Sequence, residues 1–321
     1  MKPIGYVGFD TSNYTTSAAV CSGEGEVLSN IRVPLPVKEG ERGLRQSDAL
    51  FLHSRNLPQV CGELREAVRG LELRGVGCSV RPRSVDGSYM PCFFAGRAAA
   101  GAFAAARDLP VVTCSRQDGH IMVALWSCGD GDRLLREPFA AFHVSGGTTE
   151  VLYVTPRDTG FAVTVLGGSA DLHAGQAIDR VGVMMGLRFP CGRELEELAA
   201  QNTREVPRPK ISVQQGVCHF SGLENLAARL WQQTGDRPLV AAFVLEYCAR
   251  TLERLTAFVD ERYPGIPIVY AGGVMSNRYL QAVLGRRERS RFAAPAFSAD
   301  NAAGVALLCR RAVMQREGRE A

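Results

Sequence analysis

Phe139-Ala140-Ala141-Phe142-His143-Val144-Ser145-Gly146-Gly147-Thr148-Thr149-Glu150-Val151-Leu152-Tyr153-Val154 reads as a strand, a tight polar turn and a second strand. Two short apolar runs rich in β-branched and aromatic residues, separated by Ser, Gly and Thr, have this signature. The same device opens the chain. Ile4–Phe9 is apolar, Asp10-Thr11-Ser12-Asn13 is a polar turn, and Thr16–Cys21 is apolar again. One pattern used twice, nearly half a chain apart, marks an internal duplication of an α/β unit. Its boundary falls in the charged, Gly-rich stretch Cys128–Pro138, giving a first lobe over 1–130 and a second over 131–321.

Outward from these turns the pattern alternates. Val27–Leu35 is a third strand of the opening meander, Ser47–Val68 has apolar residues at helical spacing, and Gly75–Val80 is a short strand. Pro91–Ala106 reads as a buried helix rich in small residues, and Leu109–Thr113 as a strand that leads through Ser115–His120 into another helix. After Asp171 the chain is expected to be helical, with a long helix over Leu239–Val259. Ile266–Tyr270 then enters a third Gly-rich turn, Ala271-Gly272-Gly273-Val274-Met275-Ser276-Asn277. A final apolar helix is expected over Asp300–Met314, with a frayed polar tail at Arg316–Ala321.

Composition excludes several classes. The 321 residues are 46% hydrophobic and 22% charged with a net charge of +4, ordinary for a globular protein and compatible with a nucleic-acid partner without requiring one. The ten cysteines form no C-x-x-C pair and sit mostly in apolar runs. The expectation is reduced, buried thiols in a cytoplasmic protein rather than a disulfide framework or zinc knuckle. The N-terminus lacks a signal-peptide core, and no run of 18 apolar residues suggests a membrane span.

Gly-rich turns that join strands, or a strand to a helix N-terminus, can aim backbone N–H groups at a phosphate. Three of them in a duplicated α/β chain resemble the architecture of sugar kinases, Hsp70 and actin, where ATP lies in a cleft between two similar lobes. Six ordered blocks sharpen the resemblance: Gly8-Phe9-Asp10-Thr11-Ser12, Val144-Ser145-Gly146-Gly147-Thr148, Ala174-Gly175-Gln176-Ala177-Ile178-Asp179, Phe220-Ser221-Gly222-Leu223, Gly272-Gly273-Val274-Met275-Ser276-Asn277-Arg278 and Ser298-Ala299-Asp300-Asn301. Their order and spacing over nearly the whole chain resemble the TsaD family of tRNA N6-adenosine threonylcarbamoyltransferases, formerly called O-sialoglycoprotein endopeptidases. The resemblance implies transfer of a threonylcarbamoyl group from threonylcarbamoyl-AMP to adenosine 37 of tRNA. It implies an adenine nucleotide (ATP or the adenylate), tRNA, other threonylcarbamoyladenosine-pathway proteins and one divalent metal (Mg, Fe or Zn) as ligands and partners, and no membrane.

By position, the resemblance places Ser12, Val144, Ser145, Gly146, Gly147, Asp179, Gly192, Gly273 and Asn277 on the substrate. It places Arg116, Asp118, His120 and Asp300 at the catalytic locus, with His120 and Asp300 as metal ligands. Departures mark a divergent paralogue. The first histidine of the family's H-x-E-G-H motif falls on Arg116, which stays protonated and cannot ligate a metal. Its glutamate is the shorter Asp118. A family Asp-Glu pair falls on Tyr14-Thr15, and the Gly-Pro-Gly loop on Arg81-Pro82-Arg83-Ser84. Three readings of Arg116 stand open: its guanidinium takes the metal's place against phosphate, it pairs with Asp118 or Asp300 in a dead site, or a two-ligand metal is completed by phosphate and water. His173 is a candidate base, Cys191 a weaker candidate nucleophile, and Arg81 with Arg83 a candidate phosphate contact. The run Arg286–Arg291 reads more readily as a solvated helix end than as a grip on RNA.

Overall fold

The computed structural model describes residues 2–12, 14–36, 44–297 and 301–320. In chain order the elements are β1 (Ile4–Asp10), β2 (Thr15–Ser22), β3 (Val27–Pro34), α1 (Gln46–Ala67), β4 (Glu72–Arg81), α2 (Phe93–Ala105), β5 (Val111–Ser115), α3 (Arg116–Ser127), α4 (Gly131–Leu134), β6 (Phe139–Val144), β7 (Thr149–Arg157), β8 (Gly160–Ser169), α5 (Ala174–Met184), α6 (Gly192–Ala199), β9 (Ser212–Gln214), β10 (Val217–His219), α7 (Ser221–Thr234), α8 (Arg237–Arg262), β11 (Ile268–Ala271), α9 (Arg278–Leu284), β12 (Ser290–Phe292) and α10 (Ala302–Glu320).

The chain forms two compact units. Unit 1 comprises Met1–Val123, Pro156–Ala162 and Asp300–Ala321; unit 2 comprises Ala124–Thr155 and Val163–Ala299. The units are not two consecutive halves, because the C-terminal helix belongs to the first.

Each unit has its own sheet, and the two sheets repeat one topology. In unit 1 the strand order is β3-β2-β1-β4-β5. β2 is antiparallel to both β1 and β3, whereas β4 is parallel to β1 and to β5. In the second sheet, β12-β11-β6-β7-β8-β10-β9, the segment from β8 to β12 reproduces that order. There β6 is antiparallel to β7 and parallel to β11. The duplication read from two polar turns is therefore a duplication of whole sheets. The hairpin β9/β10, three residues a strand, adds an edge in a stretch after Asp171 that was expected to be helical. Strands that short carry no readable period.

Strand alternation decides what each face of the first sheet holds. Val7, Phe9, Val76 and Cys78 face one way and form a core with Val60 and Leu64 of α1 and Ala100 and Ala104 of α2. Gly8, Gly75 and Gly77 face the other way, against α10. A Cβ on Gly75 would meet the Val313 and Cys309 side chains at 2.9 and 3.0 Å. One on Gly77 would meet the Val305 carbonyl at 2.9 Å, and one on Gly8 would press into the α10 backbone at Ala302 and Ala306. Helix α3 meets the same helix: a Cβ on Gly304 would fall inside the Gly119 carbonyl, and one on Gly119 inside the Asn301 amide. α10 itself runs on to Glu320, so the tail expected from Arg316 onward continues the helix.

In unit 2 the core gathers around α8. Phe142, Tyr270, Val244, Tyr247, Cys248 and Leu252 are all buried there. All ten cysteines are free, eight of them buried. Among the described residues no helix is long and apolar enough to cross a membrane.

Asp171 ties the start of α7 into unit 2. Its carboxylate accepts from the backbone N–H groups of Phe220 (2.8 Å), Ser221 (3.1 Å) and Leu172 (2.6 Å). Burial alone would raise its pKa, but the Ser221 hydroxyl and these backbone donors outweigh it and hold the carboxyl well below the usual carboxylate range. The folded state therefore favours the anion. Its contribution is full above the unfolded-chain pKa of about 3.9 and is lost as the pH falls from there through the folded value. Asp171→Asn should lower stability by about 1 kcal/mol at pH 7, some 2–4 °C in melting temperature. The difference from wild type should shrink in melts at successively lower pH below about 4. Gly304→Ala gains about 1 kcal/mol of helix propensity but drives a methyl into the Gly119 backbone. A net loss of about 1–3 kcal/mol is expected in thermal melts, and a variant melting at or above wild type would refute the close α3–α10 contact.

Candidate functional site

In unit 2 the Ser145–Gly147 turn lies against Gly175, and Val144 before it against Gly272. The Ser145–Thr148 turn between β6 and β7 closes on itself, with Ser145 N–H donating to the Thr148 carbonyl (2.8 Å) and Gly147 N–H to Ser145 Oγ (3.3 Å). The turn sits on the N-terminus of α5. Gly175 N–H donates to the Ser145 carbonyl (3.2 Å), and Ala174 N–H to Thr149 Oγ1 (2.9 Å). The approach demands glycine at 175, where a Cβ would lie 2.7 Å from Gly146 Cα and N. From the other side Gly272, with φ of 101°, leaves no room for a Cβ against the Val144 backbone. Three Gly-rich segments far apart in sequence are thereby stacked backbone to backbone. Gly146, Gly147 and Gly273 keep open sides: a Cβ on any of them would meet no described atom within 4 Å. Gly146 and Gly147 are also solvent-exposed. An exposed turn on the positive end of a helix dipole can hold an anion.

Asp179 links α5 to α6. Its Oδ1 accepts from the Cys191 N–H (2.7 Å) immediately before Gly192. Burial pushes the Asp179 carboxyl above its ordinary pKa, and the Cys191 N–H opposes that. Gly192, open on its Cβ side, starts α6. Cys191 is buried, and its thiol pKa is raised by burial and by the nearby Asp179 and Glu194 carboxylates. Such a thiol is a poor nucleophile, so Cys191 serves packing. Asn277 caps α9, its Oδ1 accepting from Leu280 N–H (3.0 Å).

A cavity of about 690 Å³ opens beside these residues, between α6, α8 and the start of α9. Arg193, Glu196, Leu245, Ser276, Arg278 and Tyr279 help line it. Glu196 also accepts from the Arg278 backbone N–H (2.8 Å), and the Tyr279 hydroxyl donates to Glu246. Neither Glu196 nor Tyr279 stands out in the sequence. Their only signal is spacing, four residues after Gly192 and two after Asn277.

In unit 1 the end of β1 is a polar knot. Asp10, on the α10 face, accepts from Ser12 Oγ (2.5 Å), the Ser12 N–H (3.3 Å), Asn301 Nδ2 (2.9 Å) and the Ser79 hydroxyl. Ser12 is thus engaged by Asp10 and is only 5% exposed, so we assign it to shaping the turn. Asp118, 3% exposed, is likewise enclosed. It accepts from Ser84 Oγ (2.7 Å), Ser115 Oγ (2.6 Å), Ser115 N–H (3.0 Å) and Phe161 N–H (3.1 Å), and its own N–H donates to Ser115 Oγ (3.1 Å). That reciprocal Ser115/Asp118 arrangement is a capping box opening α3. Asp118 therefore positions α3 instead of meeting a substrate. Arg116 is the first residue of α3 and His120 lies one turn further on. Asp300 lies outside the described residues.

Of the metal ligands expected, only His120 falls within the described residues. Arg116 offers no lone pair, and among the described residues no group of three His, Cys, Asp or Glu side chains could hold an ion. The basic run is also engaged. Arg287 grips Asp260 through Nε (2.9 and 3.0 Å), Arg289 pairs with Glu137 (3.0 Å) and Arg291 with Asp130 (3.1 Å). These arginines lock the β11–β12 edge in place rather than forming the solvated helix end that the sequence suggested. His173 precedes α5, where its backbone N–H donates to Gln176 Oε1 (3.1 Å).

Comparison with known proteins accords with this geometry. The family described as TsaD, tRNA N6-adenosine threonylcarbamoyltransferase, matches residues 52–307. The tRNA N6-adenosine threonylcarbamoyltransferase of Streptococcus pyogenes serotype M5 (strain Manfredo) is 32% identical over 278 residues, covering 83% of this chain and 77% of that protein. That of Streptococcus gordonii (strain Challis) is 30% identical over 292 residues, covering 88% and 83%. Among solved structures, the activator of 2-hydroxyisocaproyl-CoA dehydratase from Clostridium difficile with bound ADPNP superposes with a TM-score of 0.53 at 12% identity, covering 98% of this chain and 97% of that one. A ROK family glucokinase from Streptomyces griseus in complex with glucose and AMPPNP superposes with a TM-score of 0.52 at 15% identity, covering 96% and 99%. At those identities the structures show the fold alone, the duplicated α/β fold of actin-like ATPases and sugar kinases. By sequence, the chain belongs to the TsaD family of tRNA N6-adenosine threonylcarbamoyltransferases.

Proposed function

We propose that this protein is a cytoplasmic transferase that moves a threonylcarbamoyl group from threonylcarbamoyl-AMP to the N6 amine of adenosine 37 in tRNA. The observation that carries the reading is the exposed Ser145–Gly147 turn seated on the N-terminus of α5. In the reaction the N6 lone pair attacks the carbamoyl carbon. A C–N bond forms, the bond from that carbon to the phosphate oxygen breaks, AMP leaves with the electron pair, and the amine proton passes to solvent. The leaving group is a phosphate, so backbone N–H groups and a helix dipole aimed at it stabilise the charge it gains. Asp179 and Gly192 lie one N–H apart and suit a ribose edge, and the cavity between α6 and α9 is of a size to take the adenosine.

A second reading is a nucleotide-binding partner that scaffolds an active relative. It is favoured by Tyr14 and Thr15 where the family carries carboxylates, and by the enclosure of Asp118. Both readings require nucleotide binding; only the first requires turnover.

The deciding assay supplies threonine, bicarbonate, ATP, an adenylate-forming pathway enzyme and unmodified tRNA, then digests the RNA and measures threonylcarbamoyladenosine by mass spectrometry. Wild type should form it. Gly146→Asp, which sets a carboxylate against the phosphate, should reduce the rate by about 10²-fold or more. Retained ATP binding with no modified nucleoside would leave the scaffold reading standing and remove the transferase one. A separate check fills the cavity. Ala200→Phe should weaken adenosine binding in calorimetry by about tenfold while leaving the melting temperature within a few degrees of wild type, and unchanged affinity would show that the base binds elsewhere.

A further inference from the structure

The loop from β4 to α2 in unit 1 carries an exposed aromatic pair among exposed arginines. Tyr89 and Phe94 are 62% and 47% exposed, and Val85 is 57% exposed. The two rings meet edge to face at 5.7 Å. Arg81 at the end of β4, Arg83 in the loop and Arg97 on α2 are exposed as well. Phe94 and Arg97, three residues apart, share one face of α2. Asp86 is the single carboxylate in the stretch from Arg81 to Arg97, so the cations outnumber the anions. Isolated apolar residues on a surface are ordinary, but these sit on a loop that is held in place. The Pro82 carbonyl accepts from Gln117 N–H (3.1 Å), and Ser84 Oγ donates to Asp118 (2.7 Å). Arg83 N–H donates to Ser88 Oγ (3.0 Å), and Ser88 N–H to the Val85 carbonyl (3.2 Å). A fixed backbone thus presents the rings to solvent, which lowers the ordering cost of binding.

We propose that this face of unit 1 binds an unpaired loop of RNA, with a base stacked on Tyr89 and backbone phosphates on Arg81, Arg83 and Arg97. The inference rests on the tRNA reading above and adds the surface of unit 1 that holds the RNA. Stacking on a side chain needs a base whose π-face is uncovered, and inside a duplex neighbouring bases cover it. Tyr89 is the more exposed of the two rings, and Phe94 backs it. The arginine forks match phosphate oxygens. Rings interleaved with arginines and few carboxylates are the combination that tracks a single strand. An apolar protein partner would have to bring acids of its own to three arginines, whereas an RNA strand carries a phosphate at every nucleotide. Arg81 and Arg83 belong to the stretch on which the family's Gly-Pro-Gly loop falls, so these two cations are a departure of this chain.

The test is fluorescence anisotropy of labelled unmodified tRNA, and of a fully paired RNA duplex, with the full chain at several salt concentrations. It is run on wild type, Tyr89→Ser, Tyr89→Phe and the double variant Arg81→Gln/Arg97→Gln. Wild type should bind tRNA more tightly than the duplex. Tyr89→Ser should lose about tenfold in tRNA affinity, with duplex affinity unchanged. Tyr89→Phe keeps the ring and should bind as wild type does. The arginine variant should weaken both RNAs and make the slope of log affinity against log salt shallower by about 2. Melting temperatures within a few degrees of wild type report that the variants are folded. A Tyr89→Ser variant that binds tRNA as wild type does overturns the proposal and leaves the transferase reading intact. So does an arginine variant with unchanged affinity and slope, or a wild type that holds the duplex as tightly as tRNA. Wild type that binds neither RNA overturns both. Light scattering on the same samples tests a second copy of this chain as the occupant. A wild-type dimer dissociated by Tyr89→Ser, with tRNA affinity kept, would make this face an interface between copies and overturn the RNA assignment.

Discussion

Main chain packed against main chain is the constraint on which unit 1 depends. α10 lies on β1, β4 and α3 through glycines at 8, 75, 77, 119 and 304, and at Gly8 and Gly304 backbone meets backbone with no side chain between. Contacts of this kind tolerate almost no adjustment, since there is no rotamer to change. They set where β1 ends relative to where α3 begins. Asp10 at the one and Arg116 at the other are therefore placed by backbone geometry before any side chain is considered. The hydrogen bond from Asn301 to Asp10 closes the arrangement from α10. Unit 2 applies the same principle with different residues, through Gly175 on Gly146 and Gly272 on Val144. In both units the glycines that look like phosphate-binding signals are divided. Some are needed so that backbones can touch, and others, such as Gly146, Gly147 and Gly273, leave open space beside the chain.

That division explains what can and cannot be read from the amino-acid order. The strands are legible because their two-residue alternation is local, and so is the duplication, since Phe139–Val154 repeats the rhythm of Ile4–Cys21. The family blocks are legible as an ordered series. The role of Asp118 is not. Its position within a histidine motif suggests chemistry, whereas Ser84, Ser115 and the distant Phe161 N–H consume its lone pairs. Only the three-dimensional fold brings Phe161 to residue 118. The arginine run at 286–291 hides its role for the same reason. Its partners Asp130, Glu137 and Asp260 are 27 to 161 positions away, and no local rule detects such pairs.

Asn277 shows how a residue can stand out in a sequence and still have an unforeseen task. Its side-chain oxygen caps α9, which fixes the start of the helix bordering the cavity beside Ser276 and Tyr279. A residue expected on the nucleotide is also the one that fixes the wall next to it. The polar side chains at 10, 12, 84, 115 and 118 form a comparable layer in unit 1 that sets backbone positions. The fold commits much of its polar chemistry to holding turns and helix starts in place, and few groups are left over.

The return of α10 to the first sheet has a consequence for the order in which the protein can be made. A ribosome delivers β1 to β5 early, and domains commonly fold as they emerge. Here the glycine-lined face of that early sheet stays uncovered until Ala302–Glu320 has been synthesised, because among the described residues no earlier helix packs against Gly75 and Gly77. The nascent first unit is thus an incomplete sandwich, and all of unit 2 is translated while it waits. Folding of the first unit therefore waits for α10, and a ribosome that stalls in α8 or β11 would release a chain with an exposed sheet face, a substrate for chaperones.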